Sequence, residues 1–206
     1  MESIWIFEID IIQFLQSIGP WFERIMGLIT RLGDEEFYML IMPLIYWSVD
    51  ATLGFRIGAM LLFNNSMVNA VKIVFHTPRP YWLFSGENGV RALTSETSFG
   101  FPSGHSSIAA AIWGLFATSI RRRWVSILGI IFIFLIGFSR IVLGVHFISD
   151  VLGGWLLGAI LLFIFIKLEK PVTRWLSRLD LKQKIFMSAF SSLLLLLPTL
   201  VAQRFL

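Results

Sequence analysis

The sequence predicts an all-α integral membrane protein, a bundle of six transmembrane helices preceded by an amphipathic helical segment. Two observations carry that expectation. Hydrophobic residues fill 56% of the 206 positions and charged residues only 15%, far from the balance of a soluble domain. The stretches 124–139, 151–166 and 185–202 carry no charge over a membrane-spanning length or nearly so. A soluble protein of this size has no use for so many all-apolar helices. The length suits a single domain over 1–206, with an interfacial part at 1–33 and a six-helix core at 34–206. No repeat or low-complexity tract divides it.

Residues 3–31 read as helical but impure: Glu8, Asp10, Gln13, Gln16, Glu23 and Arg24 interrupt Ile, Phe and Trp. Gly19-Pro20 splits them into two helices. They are expected to lie on the membrane surface; the alternative is a tilted span, which Glu8 and Asp10 would make costly. The first span is expected at 36–49, followed by a tight turn at Asp50. The second, at 54–75, places Asn65, Asn69 and Lys72 on one face by their i, i+4, i+7 spacing. Polar groups inside a span should face the bundle. Pro78 and Pro80 end that helix and open a long loop to Phe101. Ser103 caps the third span, which ends near Ile120. The fourth covers 124–143, the fifth 146–166 and the sixth 184–203.

Basic residues gather at helix ends: Arg121–Arg123, and the six from Lys167 to Lys184. Cytoplasmic loops attract such residues. The net charge of +4 is thereby explained without nucleic acid, for no basic face interleaves with aromatics. The chain is expected to be a multi-pass integral membrane protein. The ends of spans two and four and the starts of spans three and five then face away from the cytoplasm, and so do both termini. There is no cysteine, so redox compartment cannot be read. The acidic N-terminal region does not resemble a cleavable signal peptide.

Three motifs cluster at that non-cytoplasmic end. Lys72 is followed after six residues by Arg79-Pro80. Pro102-Ser103-Gly104-His105 opens the third span. Ser139-Arg140 is followed after five residues by His146, and Asp150 comes four residues later. Lys72, Arg79 and Arg140 are fixed cations suited to a phosphate dianion, Arg through paired contacts and Lys as a point charge. Each alone would read as an interfacial residue keeping its charge in water; three together, beside two histidine motifs, do not. Ser103 and Gly104 begin a helix whose free N–H groups attract anions. His146 and Asp150, one turn apart on a helix, allow the carboxylate to hold one ring nitrogen and free the other.

These motifs resemble those of the type 2 phosphatidic acid phosphatase superfamily, the lipid phosphate phosphatases, and match all three in order. Residues 32–38 and Pro43 are more weakly similar to its sphingosine-phosphate, dolichyl-diphosphate and glucose-6-phosphatase branches. The resemblance implies hydrolysis of a lipid phosphate monoester or diphosphate with no cofactor or metal. It makes His146 the residue that becomes phosphorylated and His105 the acid that protonates the leaving alcohol. Lys72, Arg79, Ser103, Gly104 and Arg140 would hold the phosphate. The substrate partner is then a lipid phosphate drawn from the bilayer: phosphatidic acid, phosphatidylglycerol phosphate, a polyprenyl diphosphate or a sphingoid phosphate.

Asp34, Glu35 and Glu36 could suggest a metal site with the histidines, but no compact ligand spacing supports one. His76 reads as a loop or interface residue. Tyr81, Trp82 and Phe84 are expected to ring the site, and Glu87, Arg91 and Glu96 to shape head-group choice. Two other classes compete. An intramembrane serine protease using Ser103 would need a Ser–His pair and an oxyanion hole, but not three converging cations. A lipid-phosphate or anion transporter would explain the cations but not the His146–Asp150 pair, and would often carry inverted repeats. A vanadate haloperoxidase shares the motifs, but those enzymes are soluble.

Overall fold

The computed structural model describes residues 2–84 and 89–202, and every regular element among them is helical. Helices α1 (Glu2–Ser17) and α2 (Pro20–Thr30) are followed by a 3-10 turn at Arg31–Gly33. Then come α3 (Glu35–Ser48), α4 (Ala51–Phe75), the short α5 (Pro80–Leu83) and α6 (Gly104–Ile120). The chain continues through α7 (Arg123–Val142), α8 (Ile148–Ser177) and α9 (Leu181–Ala202). Glu87 and the last residue of the sixth expected span, at 203, lie outside the described residues.

The expected breaks have identifiable causes. Gly19, at φ 125°, ends α1's segment, and Pro20 takes the first turn of α2, where its missing N–H is not needed. Asp50 caps α4 by accepting the Leu53 N–H at 2.9 Å. His76, in the left-handed region at φ 47°, closes α4 two residues before Pro78. Ser103 caps α6 by accepting the Ser106 N–H at 3.4 Å.

Two expectations need correction. The fifth helix does not start at His146. Gly144 adopts φ +71°, which breaks α7 from α8, and helical geometry resumes only at Ile148. His146 therefore stands in the connection, and Asp150 in the first turn of α8. That helix also continues eleven residues past Ile166 to Ser177, so Lys167, Lys170 and Arg174 lie on a helix rather than in a loop.

Among the described residues three segments are long and apolar enough to cross a membrane: 51–83, which runs through α4 and the short α5, 123–142 and 148–177. By contrast α3 has 14 residues and α6 has 17. At about 1.5 Å per residue they fall short of the roughly 30 Å hydrocarbon layer.

α6 occupies the centre and packs on α4, α7 and α8. One buried cluster joins Tyr38, Ile57, Met60, Ile112, Leu115 and Leu161 across α3, α4, α6 and α8. In lipid the hydrophobic drive between helices is absent, and close packing takes its place. Gly154 and Gly158 on α8 show this. A Cβ at Gly154 would lie 2.9 Å from Ser106 Cβ, and one at Gly158 would run into the Ser107 carbonyl. The far ends are tied together as well: Arg56 of α4 pairs with Glu169 of α8 at 2.8 Å and donates to Ser119 of α6 at 2.8 Å. Outward-facing Leu40, Trp47, Phe55 and Ile130 stand largely exposed, as residues meeting lipid tails would.

Candidate active site

The end of α4, the start of α6, the end of α7 and the start of α8 meet at one end of the bundle, and the motif residues meet there. Arg79 and Arg140 are buried to 0% and 1% exposure, His146 to 1% and Lys72 to 6%. Four buried groups able to carry positive charge would be prohibitive without partners, so the partners define the site.

The loop before α6 supplies them. Ser98 Oγ accepts from Lys72 Nζ at 2.7 Å and from Arg79 Nη2 at 3.1 Å. The Ser98 carbonyl accepts from Arg79 Nε at 2.6 Å. Glu96 lies between the two guanidiniums, 3.4 Å from Arg79 Nη2 and in direct contact with Arg140 Nη2. Burial alone would raise its carboxyl, but Arg140 and Arg79, with His105 and Lys72 beyond, hold it below the ordinary range. Arg140 Nη1 donates to Thr30 Oγ1 at 2.8 Å. Its Nε is buried and finds no acceptor among the described residues.

His146 sits in this cationic surround. Arg79 Nη1 donates to the Val145 carbonyl at 2.8 Å and lies 3.2 Å from His146 Nε2. Arginine has only donors, so Nε2 must present its lone pair and Nδ1 must carry the proton. Nδ1 faces Asp150 Oδ2 at a long 3.4 Å, and that oxygen also accepts the Phe147 N–H at 2.9 Å. Burial, then Arg79, Arg140 and Lys72, push the His146 imidazole well below its ordinary value. Both effects favour the neutral ring, with its Nε2 lone pair facing Arg79.

The second histidine is positioned by a residue the sequence reading did not assign to the site. His105 Nε2 lies 2.7 Å from Asp34 Oδ1, across 71 positions of chain. The hydrogen bond to His105 holds the Asp34 carboxyl below its ordinary range despite partial burial. Gly104 lines the cavity, and a Cβ there would meet only Val68 Cγ1, at 3.7 Å. The protein itself does not require glycine at that position; the open space belongs to the cavity.

That cavity holds about 150 Å³ and is bordered by Lys72, Glu96, Ser98, Gly104, His105 and His146. It is large enough for a tetrahedral oxyanion but not for a lipid. Towards α3 and α4 it reaches Glu35 and Asn65, which are hydrogen-bonded at 3.2 Å.

All eight sequence-predicted residues therefore converge: Lys72, Arg79, Ser103, Gly104, His105, Arg140, His146 and Asp150. The expected surrounding residues divide. Tyr81 donates to the Glu96 carbonyl at 2.6 Å, and Trp82 packs on Phe99. Phe84 instead joins the cluster under α1. Arg91 turns to the N-terminal helices, pairing with Glu23 and donating to the Gln16 carbonyl. His76 packs on the Phe99 ring at 4.6 Å. Thr30, Asp34 and Ser98 were not assigned to the site by the sequence reading, and Glu96 only to head-group choice.

Comparison with known proteins gives a consistent answer. The PAP2 superfamily matches residues 53–174. Phosphatidylglycerophosphatase B of Bacillus subtilis is 32% identical over 173 residues, covering 76% of this chain and 79% of that protein. Sphingosine-1-phosphate phosphatase 2 of Mus musculus is 29% identical over 163 residues, but the match spans only 44% of its length. The crystal structure of the transmembrane PAP2 type phosphatidylglycerolphosphate phosphatase from Bacillus subtilis superposes with a TM-score of 0.61 at 28% identity. That superposition covers 79% of this chain and 86% of the other.

Proposed function

The chain belongs to the PAP2 superfamily and is a lipid phosphatase; from that premise we propose that it hydrolyses a lipid phosphate monoester or diphosphate through a phosphohistidine at His146, without a metal ion. The observation that carries this reading is the His146 ring itself. One nitrogen faces Asp150, and the other presents its lone pair beside Arg79 and the cavity.

In this mechanism the phosphate enters among Lys72, Arg79, Arg140 and the N–H groups at the start of α6, displacing the Glu96 carboxylate. Phosphoryl transfer is mainly positioning and charge stabilisation, and these groups supply both. The lone pair on His146 Nε2 forms a bond to phosphorus as the ester P–O bond breaks. The leaving oxygen takes a proton from His105. Water then attacks the phosphohistidine, giving its proton back to His105, and inorganic phosphate departs. Asp34 orients His105 through Nε2 and leaves the other nitrogen for proton transfer. Asp150 keeps the proton of His146 on Nδ1.

The bundle is read as six crossings within one domain. α3 and α6 reach the interface with help from their flanking turns, and α1 and α2 lie along the surface. The site faces away from the cytoplasm, because Arg56, Arg121–Arg123 and the basic run from Lys167 sit at the other end. Phosphatidylglycerol phosphate and sphingoid phosphate are favoured by the names of the relatives, and phosphatidic acid and polyprenyl diphosphate share the required chemistry. The test is phosphate release by purified protein from these four lipids in excess chelator. Release from at least one, blocked by vanadate, is expected. Activity lost on chelation and restored by a divalent cation would overturn the metal-free reading.

A further inference from the structure

The family match begins at residue 53, yet the nucleophile's turn is held from outside it, by α1. Glu8 is 6% exposed. Its Oε1 accepts the Ser149 N–H at 3.1 Å, and its Oε2 accepts the Ser149 hydroxyl at 3.2 Å. Ser149 lies in the first turn of α8, between Phe147, which follows the nucleophile, and Asp150, which orients it. Around this contact Trp5 stacks on Phe147, with ring centres 5.6 Å apart, while Ile9 and Ile12 pack with Phe147 and Val151. One helical turn beyond Ile12, Gln16 donates to the Val142 and Arg91 carbonyls at 3.1 and 2.8 Å. α1 thus grips both sides of the glycine break that presents His146.

Hydrophobic packing alone would not select a carboxylate here. A buried Glu is costly unless its oxygens are occupied, and Glu8's are occupied by a free N–H of the α8 first turn and the hydroxyl beside it. We propose that Glu8 is a positioning residue for the nucleophile. By fixing Ser149 it sets the turn in which Asp150 and Phe147 hold the His146 ring. The proposal rests on the phosphatase reading above. Misplacing a reacting group by about 1 Å costs on the order of a hundredfold in rate, so the effect belongs in kcat rather than in KM.

Two conservative variants separate reach from charge. Glu8→Asp keeps the charge but withdraws the carboxylate by one methylene. Glu8→Gln discards the charge but keeps an oxygen able to accept the Ser149 N–H. Glu8→Asp is expected to lower kcat by about tenfold to a hundredfold with KM within about twofold, and to slow phosphoenzyme formation in a single turnover. Glu8→Gln should stay within about threefold of wild type, as should the exposed control Asp10→Ala. Amide exchange at Ser149 should quicken in Glu8→Asp and not in Glu8→Gln. Wild-type kcat in Glu8→Asp, or equal impairment of both Glu8 variants, would overturn the proposal. If wild type hydrolyses no phosphate ester, the phosphatase reading fails; exchange at Ser149 then decides alone, and equal rates in the two variants would sink the role of Glu8.

Discussion

In the proposed mechanism Glu96 occupies the ground that the phosphate takes, and replacing it by Gln exposes what that occupation costs. Its carboxylate lies 3.4 Å from Arg79 Nη2 and touches Arg140 Nη2. At that distance, and an effective dielectric of about 20, one such pair is worth roughly 5 kcal/mol of gross attraction. Desolvation and the partial exposure of Glu96 reduce this, leaving about 1.5–3 kcal/mol for a hydrogen bond to a charged group. An arriving anion recovers both guanidiniums but must first break these contacts. Glu96→Gln weakens the contacts without emptying the space. Affinity for vanadate and inorganic phosphate should therefore rise about tenfold, or ~1.4 kcal/mol. Product release should slow correspondingly. The unliganded variant should melt lower, because two buried cations lose their counter-charge, and added phosphate should restore it. The assay is the vanadate inhibition constant beside thermal unfolding with and without phosphate. An unchanged or weakened affinity in Glu96→Gln would refute the picture of a carboxylate standing in for the substrate.

Other outcomes follow from the same geometry. His146→Ala should abolish turnover and the acid-labile phosphoryl-enzyme while vanadate still binds; a phosphoryl group trapped on Ser103 would refute the assignment. His105→Ala should slow lipid esters far more than aryl phosphates, whose alcohols depart without a proton, and Asp34→Asn should shift the same way but less; equal slowing of both ester classes would remove His105 from proton transfer. Because burial and three cations depress His146, the acid limb of kcat/KM should fall below 6.5; the unfolded imidazole takes up protons that the native one refuses, so stability is full above 6.5 and declines as pH drops below it. A cysteine at Gly89 should react with an impermeant thiol reagent on intact cells and one at Arg122 should not; the reverse pattern would invert the topology.

Which residues meet at one end of the bundle is more legible in the sequence than the path of the chain. Lys72, Arg79, Ser103, His105, Arg140, His146 and Asp150 were legible because fixed cations, a helix start and a His–Asp pair have few other uses together in an apolar chain. The place of His146 is misread because Asp150 four residues on mimics a helical pair: helical geometry resumes only at Ile148, after the φ of +71° at Gly144. A side chain there would strike the Arg91 carbonyl and come within 2.7 Å of Gln16 Nε2. The contacts of Asp34, Glu96 and Glu8 are not legible because each reaches across a long separation, Asp34 and Glu96 from outside the regular helices and Glu8 from within α1. His105 and Asp34 are 71 positions apart, and Ser149 and Glu8 are 141 apart. No period or spacing rule connects such pairs. The short α3 and α6 show a further boundary: hydropathy finds apolar runs but not where the backbone turns.

Gly154 and Gly158 bring α8 against α6 so closely that the Ser103 N–H donates to the Asp150 carbonyl at 3.0 Å. The half of the site proposed to hold the anion and the half proposed to carry the nucleophile are therefore joined backbone to backbone. Variation in client molecule has most room in parts outside that joint and outside the contacts to Lys72, Arg79, Arg140 and Ser149: the stretch 89–95 and the α3–α4 wall around Glu35 and Asn65. Selection acting on those parts can exchange one phosphate ester for another while the reacting geometry is inherited unchanged. Engineering should follow the same division. Grafting the loop and α3 from a relative should redirect specificity, whereas any bulk added at Gly154 or Gly158 would move both halves of the engine at once.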